Sequence, residues 1–180
     1  MQTDDQSRYP AKYPVTVLAG RYGHPLHPAL VAVPIGAWIA SFVFDVASHL
    51  VDDPGFLTQG SRWLIGLGVL GALAAAMVGF LDLFAIPTGT RVFRIGLLHM
   101  SINLGVTVAY IVGFLIRGGP ATGPVGWRPL VLSGLALAAL GVSGYLGGEL
   151  AYHYGVRVAD ETTQAHGYAS STSQHEEEKF

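Results

Sequence analysis

Six ionisable residues stand in or beside apolar stretches of this chain, where such residues are rare. They are His24, His27, Asp82, His99, Glu149 and His153, and Asn103 follows His99 by one helical turn. An ionisable group inside a membrane costs about 2.5–3.5 kcal/mol on insertion scales, so each of them is a candidate for function. Imidazoles with carboxylates suit a transition metal, and two histidines on facing helices with small residues beside the ring suit haem b.

Two overlapping ligand sets follow from these residue types. For haem b the axial ligands would come from His27, His99 and His153. For a transition metal (Fe, Cu or Zn) the ligands would come from His24, His27, Asp82, His99 and Glu149, with Asn103 as a supporting residue. No residue is assigned a catalytic role, because the chain carries no hydrolase or transferase motif. A redox subunit is the one kind of enzyme component that these residues favour.

The composition places the candidate residues in a membrane. Of 180 residues, 51% are hydrophobic and only 12% are charged, and the mean hydropathy is +0.43. A soluble domain has about 25% charged residues, so a soluble enzyme is excluded. The net charge of −2 gives no reason to expect nucleic acid as a partner. Because the chain has no cysteine, disulfides, thiolate metal sites and cysteine-ligated iron–sulphur clusters are also excluded.

Four apolar stretches have the length that a lipid bilayer requires, which is about 20 residues per helix. They cover about 28–49, 63–86, 95–115 and 130–152. None alternates as a barrel strand does, so helices are the remaining way to satisfy the backbone in lipid. The connecting segments are short. The sequence therefore predicts an all-α integral membrane protein, an antiparallel four-helix bundle at 20–159, between a polar segment 1–19 and a disordered tail 160–180.

An even number of helices puts both termini on one side of the membrane. We call the end where the first helix begins the near end, and the opposite end the far end. Lysine and arginine are more frequent at the near end, with Arg8, Lys12, Arg21, Arg91, Arg94, Arg157 and Lys179 against Arg62, Arg117 and Arg128. The positive-inside rule therefore predicts that both termini are cytoplasmic.

The antiparallel topology predicts a polar cluster at the near end. The candidate residues come from all four helices, yet all fall within roughly 10 Å of one membrane face at 1.5 Å per residue. At the far end we expect only Asp45 and His49, hydrogen-bonded to each other at i,i+4 without partners on other helices. Glycines inside the spans, such as Gly79 and Gly144, predict close helix packing, with room for a flat cofactor as the alternative.

Three segments resemble one bacterial membrane-protein family. They read GHPLHPALVAVPIGAW, GFLDLFAIPTGTRVFRIGLLHMSIN and GYLGGELAYHYGVRV, and the resemblance extends over roughly residues 20–159. The chain is similar in them to the family called domain of unknown function 2231. The resemblance implies a bacterial inner-membrane location and marks as recurring polar positions His24, His27, Asp82, His99, Asn103 and Glu149. Some members are joined to a Rieske-type domain, which implies electron transfer.

Two functions remain open. The first is a small electron-transfer module that holds haem b or a transition metal and exchanges electrons with a partner protein. The alternative is a non-catalytic membrane scaffold or accessory subunit, whose polar cluster only locks the helices together. A proton or solute path is disfavoured, because the polar residues cluster at one face without matching groups at mid-membrane depth. Besides the lipid bilayer and a redox partner, a homo-oligomer is compatible with the sequence.

Overall fold

A computed structural model of the chain describes residues 10–118 and 122–168. A 3₁₀ turn at Val17–Ala19 and two short paired strands, β1 (Gly20–Arg21) and β2 (His24–Pro25), precede the first helix. The helices are α1 (Leu26–Leu30), α2 (Ala32–Ala47), α3 (Gly55–Phe84), α4 (Arg91–Ile116), α5 (Trp127–Gly148) and α6 (Glu161–Tyr168). A π-helical turn at Glu149–His153 continues α5 directly.

Four helices are long and apolar enough to cross a membrane, which confirms the predicted all-α fold. The first span is Leu26–Ala47, formed by α1 and α2, and the second is Gly55–Phe84. The third span is Arg91–Ile116, and the fourth is Trp127–His153. These bounds differ from the predicted ones by up to eight residues, the largest difference being at the start of the second span.

The four spans pack side by side in an antiparallel bundle. Each packs along the next one in sequence, and the fourth returns to the first. Phe44, late in the first span, contacts Gly60, early in the second, whereas His27 at the start of the first span reaches Ala75. The end of the first span therefore lies beside the start of the second, so these two neighbouring spans run in opposite directions.

The first span is interrupted near its start. Pro34 lies within α2, and a proline has no N–H for the carbonyl four residues earlier, which is that of Leu30. The α-helical pattern breaks at Val31, directly after Leu30. We attribute the break to this missing hydrogen bond. His27 lies in the short helix α1 that precedes the break, although the first span was predicted to begin only at residue 28.

The apolar core lies at mid-membrane depth. Trp38 and Tyr110 stack there with ring centroids 4.1 Å apart and planes 6° apart. Around this pair lie Ile65, Ala72, Val106 and Ala136. Most large apolar side chains instead point outward, as lipid contact requires, because lipid provides no hydrophobic force to bury them.

Part of the predicted disordered tail is helical. Residues Glu161–Tyr168 form α6, whose side chains are all exposed. The remaining residues for which disorder was expected, 169–180, lie outside the described part of the chain, as do residues 1–9 and 119–121.

Candidate functional site

Two histidines from different spans lie side by side at the near end. His27 of the first span has Nδ1 2.9 Å from the carbonyl oxygen of Ala75 in the second. His99 of the third span has Nδ1 2.9 Å from the carbonyl oxygen of Ser143 in the fourth. A carbonyl oxygen can only accept a hydrogen bond, so both Nδ1 atoms carry the proton. In the neutral imidazole this leaves the lone pair on Nε2 of each ring.

The two imidazole rings are close and nearly perpendicular. Their centroids are 6.2 Å apart, with 85° between the ring planes. A Cβ added at Gly79 would lie 2.8 Å from Cε1 of His27, and one at Gly147 would lie 3.0 Å from Cε1 of His99. Each glycine therefore makes room for an imidazole ring, and both rings are packed against the backbone of a neighbouring span.

Asn103 and Ser143 surround the His99 ring. Nδ2 of Asn103 lies 3.2 Å from Nε2 of His99 and 2.6 Å from the hydroxyl oxygen of Ser143. It also lies 2.9 Å from the carbonyl oxygen of His99. Since Nδ1 of His99 carries the proton, the neutral ring accepts from Asn103 through Nε2. The supporting role expected for Asn103 is thus one of direct contact with His99.

Asp82 is paired with an arginine beside the same end of the bundle. Its Oδ1 lies 2.8 Å from Nε of Arg157, and the arginine side chain is only 4% exposed. Nη2 of Arg157 donates to the carbonyl oxygen of Ala19 at 2.9 Å. Arg157 has φ of 60°, which is uncommon for a residue other than glycine. The pair ties the segment before the first span and the segment after the fourth to the second span.

The remaining sequence-predicted residues lie apart from the histidine pair. His24 is exposed in β2, where Nδ1 lies 3.3 Å from the carbonyl oxygen of Tyr22. His153 is exposed at the end of the fourth span, and its ring contacts Tyr154. Glu149 has an oxygen 4.0 Å from Arg91, whose side chain is 74% exposed.

Within residues 10–118 and 122–168, no three histidine, aspartate or glutamate residues form a group that could hold a metal. The expected five-residue ligand set is therefore not assembled there.

The far end holds a second polar cluster that the sequence interpretation missed. Asp45, which is fully buried, forms an ion pair with Nη2 of Arg117 and accepts a hydrogen bond from Ser61. Nη2 of Arg117 also lies 3.1 Å from the hydroxyl oxygen of Ser133. The expectation that Asp45 pairs with His49 and has no partner on another helix was wrong. His49 instead stacks on Trp127, with centroids 4.8 Å apart.

A periodic signal for this second cluster is present in the third span. Five polar residues in and just after this span are separated by three, four or seven positions, so they share one helix face: His99, Asn103, Thr107, Tyr110 and Arg117. In a membrane helix, such a face points to the interior of the bundle. Arg117 was assigned to the connector after the third span, so its place on this face was overlooked. In the structure its side chain turns back toward Gly113 and Asp45.

Outside the spans, Tyr22 and Asp160 join the two segments that flank the bundle. The Tyr22 hydroxyl donates to Oδ2 of Asp160 at 2.6 Å, and the backbone N–H of Thr163 donates to Oδ1 at 2.7 Å. These hydrogen bonds stabilise the carboxylate, the Tyr22 one most, and lower the pKa of Asp160 to about 2.

Comparison with known proteins gives one match. A family model described as "Predicted membrane protein (DUF2231)" matches residues 23–160, which include all four spans. Neither the curated proteins nor the solved structures include a match to the chain.

Proposed function

The chain belongs to the DUF2231 family of predicted membrane proteins, and we propose that it is a small electron-transfer module in which His27 and His99 hold one haem b. A haem bound there would supply one-electron chemistry between ferric and ferrous iron. The electron would pass to or from a redox partner protein. His24, Glu149 and His153 have no part in this site.

The separation of the two imidazole rings carries the proposal. Two imidazoles bound on opposite sides of one metal ion have ring centres about 6 Å apart, because each metal–nitrogen bond is about 2 Å long. Two imidazoles at a tetrahedral angle would have ring centres about 5 Å apart by the same bond length. The 6.2 Å between His27 and His99 therefore supports an axial pair over a tetrahedral metal site.

The surroundings of the rings support the same cofactor. In metal sites, a ligating histidine donates its other ring N–H to a carbonyl or carboxylate, which fixes the tautomer and the ring orientation. Both rings have this arrangement toward Ala75 and Ser143. The described residues offer no third protein ligand nearby, and an axial haem pair needs none.

We place the module in the bacterial inner membrane with both termini in the cytoplasm. Arg117 and Arg157 are both buried in ion pairs and therefore do not contribute to the charge of the loops. The other described cations still favour the near end, with Lys12, Arg21, Arg91 and Arg94 against Arg62 and Arg128. On this orientation, the histidine pair lies close to the cytoplasmic surface.

An absorbance spectrum and an iron count of the detergent-purified protein test the proposal. We expect a Soret band and stoichiometric iron in the wild type, and loss of both in H27A and in H99A. H24A and H153A are the matched controls, since these exposed histidines should be replaceable without loss of haem. A wild type without a Soret band after reconstitution with hemin, or an H99A variant that keeps it, would overturn the proposal.

A scaffold or accessory subunit is the second candidate, and the two buried ion pairs favour it. Asp45 with Arg117 and Asp82 with Arg157 connect different parts of the chain at opposite ends of the bundle. Such pairs position helices without requiring any ligand. On this alternative, H99A lowers the stability of the protein while the wild type binds neither haem nor metal.

A further inference from the structure

Asn103 contacts the nitrogen of His99 that the proposed haem iron would need. We infer that Asn103 is a latch, a positioning residue that holds His99 in the unliganded protein and competes with the cofactor for Nε2. The inference rests on the proposed function and adds a residue that controls how readily the haem binds to His99. It follows from the 3.2 Å separation between Nδ2 of Asn103 and Nε2 of His99, which places an amide donor beside the nitrogen that a metal would bind.

The latch can open without leaving the Asn103 amide unpaired. Two further acceptors lie within reach of the same Nδ2 atom, the Ser143 hydroxyl oxygen at 2.6 Å and the His99 carbonyl oxygen at 2.9 Å. The amide nitrogen has two hydrogens for these three acceptors, so the hydrogen that leaves Nε2 can move to one of the two oxygens. Opening the latch therefore removes the hydrogen bond to Nε2 without leaving an amide hydrogen unpaired.

The His99 ring itself stays in position when the latch opens. Its Nδ1 remains bonded to the Ser143 carbonyl oxygen at 2.9 Å, and Gly147 leaves the space that the ring occupies. The axial ligand is thus oriented by the fourth span before any cofactor arrives. Asn103 contacts Nε2 of the ring, whereas the Ser143 carbonyl oxygen orients the ring through Nδ1.

Competition predicts that removing the Asn103 amide strengthens cofactor binding. The net free energy of a typical hydrogen bond corresponds to about a 2- to 12-fold change in an equilibrium constant. Replacing Asn103 with leucine, which has nearly the same shape and no donor, should therefore lower the dissociation constant for hemin by up to about this factor, because the amide hydrogen has other acceptors in the open latch. A residue that merely supported the site would have the opposite effect.

Hemin titration of the detergent-purified apoprotein is the first measurement, with N103L and N103A compared to the wild type. S101A is the control, because Ser101 is an exposed residue of the same span whose hydroxyl donates to the Leu97 carbonyl oxygen. We expect tighter binding in both Asn103 variants and no change in S101A. Equal or weaker hemin binding by N103L and N103A overturns the latch while the haem proposal stands.

Nitrogen NMR of the ¹⁵N-histidine-labelled apoprotein is the second measurement, and it requires no cofactor. We expect the His99 Nε2 resonance to shift in N103L toward the value of an imidazole nitrogen that accepts no hydrogen bond, with Nδ1 unchanged. An unchanged Nε2 resonance overturns the latch. If no variant binds hemin, the proposed function fails, and the latch as a control on loading fails with it, whatever the NMR result.

Discussion

Arg117 and Asp45 form an ion pair buried inside the far end of the bundle, although they are 72 positions apart in the chain. The aspartate comes from the end of the first span and the arginine follows the last residue of the third. Ser61 of the second span and Ser133 of the fourth complete the hydrogen bonding. One polar cluster therefore connects all four spans at this end.

Removing one partner of this pair should destabilise the protein strongly. In D45N the Arg117 guanidinium stays buried without its counter-charge, and breaking a buried pair in this way costs about 3–5 kcal/mol. We expect that loss in the free energy of unfolding, measured by titration of the detergent-solubilised protein with SDS. D52N is the control, since Asp52 is exposed in the connector and its replacement should change stability by less than about 0.5 kcal/mol. Equal stabilities of D45N and D52N would contradict the structural role of the pair.

The sequence was sufficient to predict the spans and the end of the bundle at which His27, Asp82 and His99 lie. Length and hydropathy determine the spans, and antiparallel connection determines the depth of each residue. Depth alone does not determine which neighbour a side chain faces. Arg91, Arg94 and Arg157 all lie at the near end, and Asp82 pairs with Arg157, a residue beyond the last span.

The far-end cluster was missed for a related reason. Arg117 stands at the end of an apolar stretch, where an arginine commonly extends to the membrane surface. Whether it extends outward or folds back depends on what the other spans offer, and here Asp45 and Ser133 offer acceptors. The periodic spacing in the third span indicates that Arg117 shares the polar face, but the acceptors that it reaches depend on the three-dimensional arrangement of three helices.

The glycine beside His27 should be intolerant of a methyl group. A Cβ at Gly79 would lie 2.8 Å from both Cε1 and Nδ1 of His27, so the ring must shift. Overpacking of this kind costs about 1–3 kcal/mol, and we expect that loss of unfolding free energy in G79A. G36A is the matched control, because a Cβ at Gly36 would have no neighbour within 4 Å among the described residues. If G79A were as stable as G36A, this result would contradict the close packing of His27 against the second span.

The contact between Tyr22 and Asp160 should depend on pH in a defined window. The pKa of Asp160 is lowered to about 2, so the contact stabilises the folded state above about pH 4, the usual range of an aspartate. This contribution is lost as the pH falls from about 4 toward 2, because the carboxylate is protonated. We expect Y22F to raise the pKa of Asp160 toward its ordinary value in a carbon NMR titration, while Y168F, at an exposed tyrosine, leaves it unchanged. Identical titration of Asp160 in Y22F and the wild type would refute the assignment.

The two buried ion pairs should contribute to stability independently. Ser61 and Asp82 belong to the same helix, 21 positions apart (82 minus 61), which corresponds to about 30 Å along its axis. Substitutions at such distant sites add within about 0.5 kcal/mol when they share no partner. We expect R157M to lose about 3–5 kcal/mol, as D45N does, because it leaves Asp82 buried without its counter-charge. The double variant should lose the sum of both effects in the same SDS titration. A smaller combined loss would show that the near-end and far-end clusters are coupled through the spans, and the picture of two separate locks would have to be abandoned.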